Sequence, residues 1–157
     1  VTSEGPVEIV VVCYGNICRS PMGEVLLQRA LDERLGAGVA MVTSAGIGAD
    51  NGNPPSQGSI KAMSERGIDA RPLRSTYMTG EIAERAWRIY CMEAYQVNFV
   101  ASMVRENREK VMLWGGEEIP DPIGSKQKAY DKVALQLERL LPGIVDDIQA
   151  ALKAEAR

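Results

Sequence analysis

Residues 7–12, Val-Glu-Ile-Val-Val-Val, run into Cys13-Tyr14-Gly15-Asn16-Ile17-Cys18-Arg19-Ser20-Pro21, and an amphipathic stretch over 22–35 leads away from it. A β-branched, nearly continuous apolar run is the pattern of a central strand in a parallel sheet. A strand ending in a thiol, then a short polar loop, then a helix start, builds an anion cradle. Loop N–H groups and the helix N-terminus converge there and favour negative charge. The same field stabilises a thiolate, so Cys13 is expected to be acidic and nucleophilic. Arg19 brings a planar fork that matches two oxygens of a phosphoryl group. Gly15 permits backbone angles that a side chain would forbid. Asn16 can take a left-handed conformation or pin the loop through its amide. Ser20 can donate to the Cys13 sulfur, or cap a helix that Pro21 opens at its first position.

The rest of the chain narrows the possibilities. With 157 residues, one domain over 1–157 with a substantial core is expected. A loose arm is expected over 1–6. A net charge of -3 with no basic run argues against a nucleic-acid partner. No apolar stretch reaches membrane-spanning length, and residues 1–6 have no leader pattern, so no membrane partner and a cytoplasmic location are expected. Three cysteines make no disulfide framework, which suits a reducing compartment. Histidine is absent. That removes Ser-His-Asp and Cys-His catalysis and the common zinc sites.

Further strands are expected over 39–43, 87–92 and 110–114, separated by helices. Those helices are expected over 59–66, near 79–85, over 93–105 with Phe99, Val100, Met103 and Val104 on one face, and over 126–141. Pro142-Gly143 is expected to kink or break the last one before it resumes over 144–152. A Gly- and Pro-rich loop over 46–56 follows the second strand's C-terminal end and should lie beside the cradle. Strands alternating with helices give a parallel α/β sheet with right-handed crossovers.

The Cys-x5-Arg-Ser loop, with Gly-Asn and a second cysteine inside it, resembles the signature of the low-molecular-weight protein tyrosine phosphatases. The resemblance continues through Thr43-Ser44-Ala45-Gly46, Gly52-Asn53-Pro54-Pro55, Cys91-Met92-Glu93 and Pro120-Asp121-Pro122, and so covers nearly the whole chain. It implies a four-stranded sheet in the order 2-1-3-4 with helices on both faces. It also implies a phosphatase that hydrolyses phosphotyrosine in proteins with no metal or cofactor. The partner would be a phosphorylated protein or peptide, and the enzyme a monomer or weak homodimer. Cys13 would be the nucleophile, Arg19 the phosphate clamp and Asp121 the general acid and base. Residues Tyr14, Gly15, Asn16, Ile17, Cys18, Arg19 and Ser20 would bind phosphate, and Asn16, Ser20 and Ser44 would brace the loop. Pro122 would restrict Asp121 to extended conformations and so aim it.

Cys18, five residues from Cys13, can pack or form a reversible disulfide with it. Cys91, inside an apolar strand, reads as a small buried hydrophobe. Members of the family carry aromatic pocket walls that are missing here, which leaves the pocket to Tyr14, Ile17, Ala49, Asp50 and Ile123. A bracing histidine of the family would fall near Leu73. Ile17 resembles the tyrosine-specific members, whereas arginine-specific relatives tend to carry Thr there. Protein-arginine phosphatase is the alternative, because Pro120-Asp121-Pro122-Ile123-Gly124-Ser125, followed by Tyr130 and a Leu-rich helix, also resembles that branch. A thiol-coupled arsenate reductase, which needs relay cysteines, is less favoured, and so is a phosphatase for a small metabolite.

Overall fold

The computed structural model describes residues 5–156. Positions 1–4 of the N-terminal arm lie outside them. Four parallel strands, β1 (Val7–Cys13), β2 (Ala40–Gly46), β3 (Arg88–Cys91) and β4 (Val111–Leu113), form one sheet in the order β2-β1-β3-β4. The helices are α1 (Arg19–Leu35), α2 (Gln57–Ser64), α3 (Gly80–Arg85), α4 (Ala94–Ala101) and α5 (Gln127–Glu155). This is the expected three-layer α/β architecture.

Alternation along β1 sends its side chains to two cores. Ile9, Val11 and Cys13 face the larger core, with Met22, Leu26 and Leu27 of α1 and Val133, Leu137 and Ile148 of α5. Val10 and Val12 face the smaller one, with Ala83 of α3 and Val100 of α4. A strand buried on both sides explains why 7–12 reads as continuous apolar sequence. The chain runs from β1 to β2 on one side, then returns to β3 on the other. The switch point therefore lies at the C-terminal ends of β1 and β3, where ligands enter such sheets.

Gly23 lets α1 approach the sheet closely. A Cβ there would lie 3.0 Å from Val11, 3.2 Å from Trp114 and 3.3 Å from Met92.

Several details differ from the sequence expectations. β2 extends to Gly46, three residues beyond Thr43, because its last residues pair with Val11, Val12 and Cys13. α4 stops at Ala101, and Phe99 on it is exposed, while Val100 and Val104 are buried. Pro142 does not end α5, which runs through it as one helix. Pro142 is exposed, so water can satisfy the one carbonyl that loses its helical donor, while Ile144, Val145 and Ile148 stay buried against the core. No described helix is long and apolar enough to cross a membrane.

Candidate active site

Cys13 ends β1 and is buried. The backbone N–H of Asn16 donates to its sulfur at 3.2 Å, and the Ser20 hydroxyl lies 3.0 Å from it. Asn16 has φ 56°, and the side-chain amide is used completely. Its Nδ2 donates to Ser20 Oγ at 2.7 Å and to Ser44 Oγ at 2.9 Å, and its Oδ1 accepts from the Thr76 N–H at 2.8 Å. Ser44 in turn donates to Glu24 Oε1 at 2.6 Å. These bonds fix the direction of the amide protons of Asn16 and of the Ser44 hydroxyl proton. Ser20 accepts from Asn16, so its own hydrogen is free to point at Cys13.

The left-handed residue of the loop is therefore Asn16. Gly15 lies outside the positive-φ region, and a Cβ on it would meet nothing closer than Ile17 at 3.7 Å. Ser20 does not cap the helix. Cys18 is the N-cap and Arg19 the first helical residue, which puts Pro21 third. Proline is tolerated there because the N–H groups of a helix's first turn have no intrahelical partner. No acidic residue occupies that first turn, so the helix N-terminus is left open to an external anion.

Arg19 is 1% exposed. Its Nη1 donates to Glu93 Oε2 at 2.7 Å and to the Ile119 carbonyl at 2.9 Å. Its Nη2 lies 3.4 Å from Asp121 Oδ2. Its Nε has no hydrogen-bond partner. Burial pulls the guanidinium pKa down, but the Glu93 hydrogen bond and the charges of Cys13, Asp121 and Glu93 outweigh it and raise it. Glu93 follows β3, caps α4 in a reciprocal box with Gln96, and is thereby held toward Arg19. Asp121 sits in the loop after β4, where its Oδ1 accepts from the Ile123 N–H at 3.1 Å. The ends of β1, β3 and β4 thus each bring one charged or nucleophilic group to the switch point.

The remaining expected residues divide. Ile17 is half-buried in the loop. Tyr14 lies over Gly48 with its ring half exposed, and Ile123 is exposed. Ala49 is buried against Gly46, and Asp50 is exposed, its carbonyl accepting from the Ser75 hydroxyl. Leu73, near which the family's bracing histidine would fall, packs against the larger core, and the Thr76 N–H supports Asn16. Cys18 is buried, accepts from Ser56 at 3.3 Å and lies 3.7 Å from the Tyr130 hydroxyl. Burial pushes its thiol pKa up despite the Ser56 and Tyr130 contacts. Burial pushes Cys91 up strongly, as befits a core thiol. Among the described residues no cluster of His, Cys, Asp or Glu is placed to hold a metal ion.

Three supports escaped the sequence reading. Glu93 lies in a noted motif but had no assigned role. Glu24 sits one helical turn after Ser20, the only local hint that it shares the loop's face. Burial raises the Glu24 carboxyl pKa, partly offset by the Ser44 hydroxyl. Thr76 contributes only a backbone N–H, which no side-chain pattern announces.

Gly46 closes the cradle from behind. A Cβ there would lie 2.5 Å from the Tyr14 carbonyl oxygen and 2.8 Å from the Asn16 nitrogen, both rigid backbone atoms. At Gly48 the collision is with the movable Tyr14 ring. Gly46→Ala is expected to destabilise the fold by about 1–3 kcal/mol, the usual range for overpacking. Gly48→Ala is expected to change stability by less than about 1 kcal/mol, since the exposed ring can swing away. Thermal unfolding of the two variants checks this, and equal effects would show that the loop backbone yields freely.

Comparison with known proteins agrees with this geometry. The family model described as "Low molecular weight phosphotyrosine protein phosphatase" matches residues 8–156. A probable low molecular weight protein-tyrosine-phosphatase, EpsP of Ralstonia solanacearum, is 34% identical over 145 residues, covering 90% of this chain and 96% of that one. The tyrosine phosphatase Wzb from Escherichia coli K30, solved in complex with sulphate, superposes with a TM-score of 0.81 at 31% identity, covering 90% of this chain and 97% of that one. A YwlE arginine phosphatase, solved as a Cys-to-Ser mutant with its active-site serine phosphorylated, gives a TM-score of 0.81 at 28% identity, covering 91% and 96%. Agreement of this length and identity makes the chain a member of the low molecular weight phosphotyrosine protein phosphatase family.

Proposed function

We propose that the protein is a cysteine-dependent phosphatase that hydrolyses phosphotyrosine in proteins through a phosphocysteine intermediate. The observation that carries this is the state of Arg19. A guanidinium that is 1% exposed and close enough to Cys13 for their charges to interact has its Nη1 committed to Glu93 and Ile119, yet its Nε has no partner. A buried donor without a partner is costly unless a ligand completes it. A phosphoryl oxygen does so, and the loop amides and the N-terminus of α1 supply the rest of the positive field.

In this mechanism the Cys13 thiolate attacks phosphorus in line with the leaving oxygen. Asn16 N–H and Ser20 O–H face the sulfur at 3.2 and 3.0 Å. Arg19 holds the equatorial oxygens as charge spreads onto them. The P–O bond breaks, and Asp121 gives its proton to the departing oxygen. Water then attacks the phosphocysteine, Asp121 takes the water's proton, the S–P bond breaks, and phosphate leaves with the thiolate restored. The related arginine phosphatase whose active-site serine was captured phosphorylated supports the nucleophile's role by analogy. The partner is a phosphorylated polypeptide, and the expected setting is the reducing cytoplasm.

Asp121→Asn is expected to slow aryl phosphates with poor leaving groups by about 100-fold or more, and good leaving groups far less, as general-acid removal does. A series of substituted phenyl phosphates reads this out, and a uniform slowing would remove Asp121 from the acid's role.

Protein-arginine phosphatase is the second reading, because the Wzb and YwlE structures superpose equally well. Ile17 favours tyrosine, since a half-buried apolar side chain offers a guanidinium no polar contact. Parallel turnover of a phosphotyrosine and a phosphoarginine peptide by wild type and Ile17→Thr tests the choice. Preference for phosphotyrosine, shifting toward phosphoarginine in the variant, is the expected result. Preference for phosphoarginine by wild type would reverse the assignment.

A further inference from the structure

Behind Asp121 a groove of about 600 Å³ runs between the 120–125 loop and α5. Pro120 and Pro122 form one wall, and Ala129, Val133 and Leu135 the other, with Lys132 among the residues lining it. Its volume is that of a ligand pocket rather than a packing defect. The three most exposed large apolar side chains among the described residues are Leu135 at 61%, Ile123 at 56% and Tyr14 at 53%. Leu135 lines the groove, Ile123 is two residues beyond Asp121, and Tyr14 is in the cradle loop. Exposed apolar side chains thus stand in the cradle loop, just beyond Asp121 and on the stretch of α5 that lines the groove.

From this arrangement we infer that the groove holds the polypeptide segment next to the phosphorylated residue, with an apolar side chain between Pro122 and Leu135 and a carboxylate at Lys132. The inference rests on the phosphatase reading and deepens it. In that reading the phosphoryl group lies on the Arg19 side of Asp121, whose Oδ2 is 3.4 Å from Nη2. Asp121 gives its proton to the leaving oxygen, so the group bonded to that oxygen lies beside Asp121, which itself lines the groove. A polypeptide is the occupant that this attachment delivers there. Charge selects further. Arg139 is tied to Glu117 at 2.7 Å, whereas Lys132 makes no ion pair among the described residues and is available to an acidic neighbour of the apolar residue.

The test uses the full chain, p-nitrophenyl phosphate, and phosphotyrosine peptides. A parent peptide with Gly and Ser flanks is compared with peptides in which one Leu is moved through each flanking position, and then with Asp beside the best placement. The best Leu is expected to raise kcat/KM about five- to tenfold, mainly through KM, the gain expected from burying part of one apolar side chain. Leu135→Asp, which spoils one wall, and Ala129→Phe, which fills the groove, are each expected to erase that gain while p-nitrophenyl phosphate turnover stays within about twofold. Lys132→Ala is expected to erase only the further gain from Asp. If no Leu placement improves on the parent, or the improvement survives both groove variants, the inference is overturned and the phosphatase reading stands. Failure of wild type to cleave even p-nitrophenyl phosphate would overturn both.

Discussion

Cys13→Ser is expected to lower kcat for p-nitrophenyl phosphate by about ten-thousandfold or more, the scale seen when a covalent nucleophile is removed. A hydroxyl at that position accepts the same hydrogen bonds from Asn16 N–H and, through Ser20, from the rest of the network. The loop should therefore keep its shape and its affinity for an oxyanion such as sulfate or tungstate. What is lost is the more nucleophilic sulfur, which also makes the better leaving group in the second step. The informative outcome pairs near-zero turnover with wild-type tungstate binding by calorimetry and unchanged thermal unfolding. Phosphate trapped on the introduced hydroxyl, detected by mass spectrometry, would strengthen the assignment. Turnover within a hundredfold of wild type would place the nucleophile elsewhere.

The second large effect is at Arg19. Arg19→Lys keeps a positive charge, so a purely electrostatic role predicts a small loss. The geometry predicts a large one. The guanidinium bridges Glu93 and Ile119 through Nη1 and stands near Asp121 through Nη2, leaving Nε open. One ammonium cannot hold Glu93 and a phosphoryl oxygen in those directions at once. Loss of a directed transition-state donor costs about 100- to 1,000-fold, and kcat/KM should fall by about that much, with kcat taking most of it. Oxyanion affinity should fall less. A loss under tenfold would reduce Arg19 to a strut joining α1 to the β3–α4 turn.

Much of this is readable in the sequence. The β1 sequence declared its double burial, and the spacing of Cys13, Asn16, Arg19 and Ser20 declared an anion loop, because strand, loop and helix start are contiguous. What stayed hidden depends on tertiary context. Glu93 reaches Arg19 from 74 residues away, so no local pattern shows its role, and the resemblance that named Asp121 did not show that it stands 3.4 Å from the same guanidinium. Glu24 joins the site only because β2 extends to Gly46 and carries Ser44 above α1. Asn16, rather than Gly15, takes the left-handed angle because its amide has partners on Ser20, Ser44 and Thr76. Pro142 was expected to kink or break α5; it does not break it, because one lost hydrogen bond on an exposed face is outweighed by the apolar residues on either side of it.

The close seat of α1 at Gly23 has a mechanical corollary. With Val11, Met92 and Trp114 packed within 3.0–3.3 Å of the place a Cβ would occupy, the second turn of the helix is clamped to the middle of the sheet. The anion seat at its N-terminus cannot sway as a separate lever. Its stiffness is borrowed from the whole core, so damage outside the loop, at Trp114 for example, is transmitted to the phosphate position rather than absorbed on the way.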